Sequence, residues 1–187
     1  AATENRRVKE AMKEALLSII KDENRIITGQ IDPQYLSDNL GRKKGTAEAV
    51  VFPVSTEEIS GVMRYAWKNN LPVTPRGAGT NLVGSTVPSG HGIVLDVSLM
   101  NHVLELDEET FTATVESGVV LEDFQAYVES KGLFYPPDPG EKKATIGGNI
   151  STNAGGMRAV KYGVTRDYVM GLELVLADGT VVIAGSK

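Results

Sequence analysis

The chain contains no cysteine among its 187 residues. Disulfides, thiolate metal sites, iron–sulfur ligation and a cysteinyl cofactor bond are therefore excluded within it. Histidine is nearly as scarce. His91 and His102 stand apart, so no metal site is expected. No apolar run approaches the roughly 20 residues that cross a bilayer, and no transmembrane segment is expected. Residues 1–25 carry both signs of charge and no small-residue cleavage signal, so no secretory peptide is read and a cytoplasmic location is expected. Dense basic runs are missing and the net charge is −5, which makes nucleic acid a poor partner. What remains is ordinary: 41% hydrophobic and 23% charged residues, enough chain for one domain or two small ones.

Apolar periodicity predicts a helix over 3–20, with Val8, Ala11, Met12, Ala15, Leu16, Ile19 and Ile20 on one face. Residues 26–47 read as largely irregular, with a short helix near Pro33 to Leu40. Ala49 to Phe52 reads as a strand. Ser55-Thr-Glu-Glu58 then has capping-box spacing for a helix that turns Ile59, Val62, Met63, Ala66 and Trp67 inward. Leu71 to Thr74 and Gly92 to Val97 are further strands, and strand–helix–strand implies a parallel pair with a right-handed crossover.

The pattern changes after Ser98. Val103 to Leu106 and Phe111 to Val115 alternate around Asp107 to Thr110, as in an antiparallel hairpin. A helix over Leu121 to Ser130 is expected to bury Leu121, Phe124 and Val128, with Gly132 at its C-terminal cap. Asp178-Gly179 between two apolar runs is a two-residue hairpin signal. The fold class expected is α+β, a small parallel α/β sheet followed by a largely antiparallel subdomain. The expected divisions are a helical extension over 1–25, a first subdomain over 26–98 and a second over 99–187.

Two stretches stand out against this frame. Thr74 to Ser85 packs three glycines, a proline, an arginine and small polar residues into one turn, just past the carboxyl end of a strand. Successive N–H groups in such a turn form a concavity for an anion. Its spacing fails both G-x-G-x-x-G and the P-loop, and a solvated glycine turn is nearly as good a reading. Ala144 to Gly156 is the second, with four glycines, hydroxyls and amides but no charge. A surface loop is its plain reading. Ile146 and Ile150 argue for an inward position, and uncharged donors and acceptors suit a buried polar ligand. One such stretch in each half suggests an elongated ligand along the seam.

Pro75-Arg-Gly-Ala-Gly-Thr-Asn81, Pro136-Pro-Asp-Pro139, Thr145-Ile-Gly-Gly-Asn149, Asn153-Ala-Gly-Gly156 and Lys161-Tyr-Gly163 occur in that order. As an ordered set they resemble the FAD-binding (PCMH-type) domain of the vanillyl-alcohol oxidase and p-cresol methylhydroxylase flavoproteins. The likeness runs from about residue 27 to the end. It is strongest to the branch of glycolate oxidase flavin subunits, D-lactate dehydrogenases and D-2-hydroxyglutarate dehydrogenases.

The resemblance implies a two-subdomain FAD-binding fold, here C-terminally incomplete, as in a shortened or proteolysed piece of a longer parent, with a naturally short subunit as the alternative. It implies that Arg76, Gly77, Ala78, Gly79, Thr80, Asn81, Gly84 and Ser85 cradle the FAD diphosphate, although Arg76 has pairing with a protein carboxylate as an equal alternative. Pro137, Asp138, Gly147, Gly148, Asn149, Thr152 and Asn153 would lie along the ribityl chain and flavin ring. Val182 and Ile183 would meet the adenine end through their backbone. Thr145 and Ser151 have the alternative of satisfying local backbone, and Tyr162 that of plain packing. Many relatives link flavin through a histidine in the first loop. Thr80 stands near that place, so FAD is expected to be non-covalent.

The activity implied is oxidation of a small 2-hydroxy acid, with hydride passing from the α-carbon to flavin N5 and electrons leaving to a protein or quinone acceptor. The substrate domain and the general base are expected beyond Lys187. His102, read as a strand residue, is more plausibly structural. Alternatives are an alcohol or sugar oxidase of the same family, and a flavin-binding electron-transfer subunit without substrate chemistry of its own.

Overall fold

The computed structural model describes residues 2–186, with side chains from residue 7 onward. Helix α1 (Ala2–Ile20) opens the chain. Met12, Leu16 and Ile20 are buried on its inner face, whereas Val8 and Ala11 are exposed. The expected apolar stripe is thus narrower and confined to the C-terminal half.

Strands β1 (Ile26–Thr28), β2 (Ala47–Val51), β3 (Val73–Arg76) and β4 (Gly92–Asp96) form one sheet in the order β1-β2-β4-β3. β1 is a correction to the irregular stretch expected there, and it pairs antiparallel with β2. A second correction concerns adjacency. β2 and β3 are not neighbours, because β4 inserts between them and runs parallel to both. Alternation along the central strands seals both faces. Ala49, Val51, Ile93 and Leu95 pack with α1 and α2 (Thr56–Lys68), and Val50 and Val94 pack with Ile31, Tyr35 and Leu36. Tyr35 closes a 3-10 turn, Pro33–Tyr35, with Ile31 and Leu36 flanking it, where a short helix was expected.

Ser55 caps α2 by accepting the Glu58 N–H. The Glu58 carboxylate reaches the Val54 N–H and a two-pronged pair with Arg25 at 2.6 and 2.8 Å, which ties α2 to the start of β1. Trp67 is exposed, not inward. Lys68 is the last residue of the helix, and the turn that follows carries the chain back to β3.

The hairpin β5–β6 (Val103–Asp107, Thr112–Val115) is antiparallel as expected. Helix α3 (Leu121–Glu129) buries Leu121, Phe124 and Val128. It closes with Gly132 N–H to Glu129 O and Leu133 N–H to Val128 O, a left-handed cap at Gly132. Helices α4 (Ile146–Thr152) and α5 (Ala159–Tyr162) follow. The hairpin β7–β8 (Gly171–Val175, Val181–Gly185) ends the chain. Leu176 N–H donates to Thr180 O across the turn, so the loop holds three residues rather than two. Among the described residues no helix is long and apolar enough to cross a membrane.

Candidate functional site

The first glycine stretch leaves β3 at Arg76 and passes the carboxyl ends of two parallel strands, β3 and β4. Its shape is held from inside. The Asn81 side chain accepts the N–H groups of Val83 and Ser85, and Gly84 O accepts from Val87. Among the described residues, no protein acceptor takes the backbone N–H of Gly77, Ala78, Gly79, Thr80, Asn81 or Leu82. Gly79 is nevertheless buried. Backbone N–H groups sheltered from bulk water are almost always paired. A run of unpaired ones describes a place for an acceptor that carries negative charge.

Arg76 lies behind this loop. Its φ of +71° gives Gly79 a left-handed backbone, and a Cβ there would overlap the Arg76 guanidinium. Only glycine meets both conditions. Arg76 is nine-tenths buried, with Tyr35 under it at 5.7 Å from Cζ to the ring centroid. Asp96 stands opposite in the strand register, yet no ion pair within 4 Å joins them. Nη1 has no hydrogen-bond partner. Burial pulls the guanidinium below its ordinary value against the help of Asp96, and burial pushes the Asp96 carboxyl up.

The second stretch is helical at its centre. Thr145 caps α4 by accepting the Gly148 N–H. Ile146 and Gly147 donate to the carbonyls of Val119 and Ser117 at 2.8 and 2.9 Å. Thr145 and Ser151 do satisfy local backbone, and so does Thr152, whose hydroxyl donates to Gly148 O. Asn153 takes the left-handed cap and its side chain accepts the Arg166 N–H. Asn149 differs from all of these. It is buried, and among the described residues its side-chain amide has no protein partner.

The two stretches touch. A Cβ at Gly77 would overlap the Thr145 hydroxyl, so the first loop rests on the cap of α4. Beside this contact Ala78 and Thr145 share the wall of a cavity of about 450 Å³ with Ser98, Val120, Asp123 and Tyr127. Those last four were missed by sequence reasoning. They carry no motif signal, being ordinary turn and helix-face positions.

Other candidates lie elsewhere. Pro137 O accepts from Gln125, and Asp138 is buried in ion pairs with Lys142 at 2.6 Å and Arg158 at 3.4 Å. Lys142 holds that carboxyl below the usual range. Val182 and Ile183 sit on β8, in register with Leu174 and Glu173, and the hairpin is anchored to α2 by Ser60 donating to Gly179 O at 2.5 Å. His102 precedes β5 rather than lying in it, and pairs with Glu116 at 2.8 Å; His91 pairs with Glu48. Among the described residues no group of three or more His, Asp or Glu side chains converges as a metal site would.

This geometry meets its comparison in a matched family, the FAD binding domain, over residues 47–185. The chain belongs to the FAD binding domain family. It is 47% identical over 177 residues to glycolate oxidase subunit GlcD of Bacillus subtilis (strain 168), covering 94% of this chain and 38% of that protein. It is 46% identical over 164 residues to a D-lactate dehydrogenase of Anaerostipes hadrus, covering 87% and 34%. The chain therefore spans little more than a third of the length of these relatives. Alkyldihydroxyacetonephosphate synthase has the same fold, with a TM-score of 0.80 at 21% identity over 94% of this chain and 34% of that one. The family cofactor fits the residues present. Unpaired N–H groups at Gly77 to Leu82 suit a diphosphate, and the Asn149 amide, without a protein partner among the described residues, suits a polar group beside it.

Proposed function

We propose that this chain is the FAD-holding portion of a flavin-dependent dehydrogenase or oxidase of small 2-hydroxy acids, of the glycolate, D-lactate or D-2-hydroxyglutarate type. The observation that carries the reading is the run of N–H groups from Gly77 to Leu82 without a protein acceptor, buried at Gly79 and seated against Thr145 of the second glycine stretch. FAD, when bound, supplies the two-electron chemistry that takes a hydride from a substrate α-carbon.

The chain's own residues bind and orient. The loop amides meet diphosphate charge at no cost of reorganisation, because Asn81 and the β3 end already fix them. Asn149 offers an amide NH2 and a carbonyl oxygen to the ribityl or ring region, and Gly147 and Gly148 keep the neighbouring surface free of side chains. Thr152 and Asn153 hold the helix that carries Asn149 rather than the ligand. Pro137 and Asp138 shape the approach, and Val182 and Ile183 offer the edge of β8. Thr80 stands near the place that carries a linking histidine in many relatives, and FAD is held without a covalent bond. The division near Ser98, a protein or quinone acceptor and a cytoplasmic setting belong to the same proposal.

The electron-transfer reading draws on a separate observation. Both histidines are exposed and engaged by glutamates, so a proton acceptor for substrate comes from outside these residues. Titration of FAD into the protein, followed by flavin fluorescence, tests the first claim. Saturable binding, with flavin released intact by acid, is expected. Flavin that stays with denatured polypeptide refutes the non-covalent mode, and no binding refutes the cofactor role. Bleaching of bound flavin by glycolate, D-lactate or D-2-hydroxyglutarate supports the dehydrogenase reading. Reduction only through a second protein supports the other.

A further inference from the structure

Arg76 was expected at the diphosphate itself, or else in a salt bridge. Among the described residues no ion pair within 4 Å engages it. Its guanidinium is buried on the protein side of the loop, against the position that a Gly79 Cβ would fill. Tyr35 backs it and Asp96 faces it without an ion pair. One of its nitrogens, Nη1, has no partner. Leaving a buried cation so poorly paired is costly, and such a site persists where the charge has another use.

We propose that Arg76 is a positioning residue for the diphosphate, acting from behind the loop in two ways. Its flat group fills the space that glycine leaves open and so fixes the left-handed turn at Gly79. Its charge, held in no direct ion pair, raises the potential at the unpaired amides on the loop it supports. Coulombic influence through a few ångströms of partly dry protein is far stronger than through water. The inference rests on the FAD-domain reading but concerns a different residue and a different effect. The ligand recognised at the loop is an anionic diphosphate, whether carried by FAD or by ADP.

The test uses two-dimensional amide NMR, which reads weak binding as well as tight. ADP, inorganic pyrophosphate and adenosine are titrated into the parent protein, Arg76→Met and Arg76→Lys. The amides of Gly77 to Leu82 should shift with ADP and pyrophosphate in the parent. Arg76→Met keeps the apolar stem and should weaken ADP by about tenfold or more. Arg76→Lys keeps the charge and should stay within about threefold. Adenosine, which lacks phosphate, should respond alike in all three. The spectrum outside the loop reports whether each variant is folded, and the Lys variant provides a second reading should Met unfold. Parent-like ADP affinity in Arg76→Met overturns the proposal, and so does equal weakening of ADP and adenosine in both variants. A parent whose loop amides ignore every phosphate overturns the cradle itself, which is a separate failure.

Discussion

The two glycine-rich stretches look alike in sequence and differ in how their backbones are used. In the first, the N–H groups from Gly77 to Leu82 have no protein acceptor among the described residues. In the second, Ile146, Gly147, Gly148 and Asn149 donate to Val119, Ser117 and Thr145. Glycine serves opposite ends in the two places. At Gly79 it permits a left-handed turn over Arg76, which leaves amides available to a ligand. At Gly147 it allows the helix start to press against Ser117, which removes amides from availability. On the proposed reading, one stretch is a receptor built of backbone, and the other is a rigid mount whose contribution rests on the side chain of Asn149.

The largest effect should come from breaking the receptor. Gly79→Val adds a branched side chain at a positive φ and drives it into Arg76. FAD affinity should fall by about two orders of magnitude or more, since a few kcal/mol of lost contact suffices. Lys68→Ala on α2 is the control and should leave affinity unchanged. If both variants titrate like the parent, the first stretch is only a turn. Next comes the contact between the stretches. Gly77→Ala overlaps the Thr145 hydroxyl, so it should destabilise by about 1–3 kcal/mol in a denaturant melt. Thr145→Ala made in the same chain removes that oxygen. The double variant should therefore lose less than the sum of the single ones, a coupling expected only between touching residues. Additive losses would mean that the two stretches do not meet.

Much of this was legible in the sequence, for identifiable reasons. Ser55 and Glu58 announced α2, and Leu121, Phe124 and Val128 gave the inner face of α3, because both helices obey local rules. Family membership was legible from the ordered motifs around Gly77 and Gly148. Three features were hidden. β1 is only Ile26–Thr28, too short to show a period, and becomes a strand because β2 offers it an edge. α4 contains Gly147, Gly148 and Asn149, poor helix formers, and is helical because Thr145, Ser117 and Val119 satisfy its first turn while Ile146 is buried. The inserted place of β4 is a matter of topology that no local pattern records. At the site, the residues were legible but their division of labour was not. Arg76 reads as a diphosphate contact, and its guanidinium packs against Gly79. Asn153 and Thr152 read as ligand contacts and bond to backbone.

A smaller effect sharpens the mount. Thr145→Ala alone removes the cap of α4, worth about 1 kcal/mol. Thermal melting should show that loss. Thr145→Ser, which keeps the oxygen, should recover most of it. Equal loss in both would place the contribution in the methyl group.

The smallest expected effect separates the two regions by pH. Asp96 stands beside Arg76 behind the receptor, and Asp138 leads into the mount. Burial raises the Asp96 carboxyl above its ordinary value, against opposing help from Ser98 and Arg76. The Lys142 hydrogen bond lowers the Asp138 carboxyl. An unfolded aspartate titrates near about 3.9. A group raised on folding contributes stability below that value and loses it as pH rises through its folded value. A group lowered on folding contributes above that value and loses it as pH falls through its folded value. Asp96→Asn should thus gain on the parent as pH rises above about 4, because it no longer buries a charge. Asp138→Asn should lose to the parent at neutral pH and draw level with it in acid. Melting temperatures of the three proteins between about pH 3 and 8 read both trends, which bracket the unfolded value. Parallel trends in the two variants would contradict the assigned environments. Opposite trends would show that the receptor keeps an uncomfortable carboxylate beside its cation while the mount keeps a satisfied one.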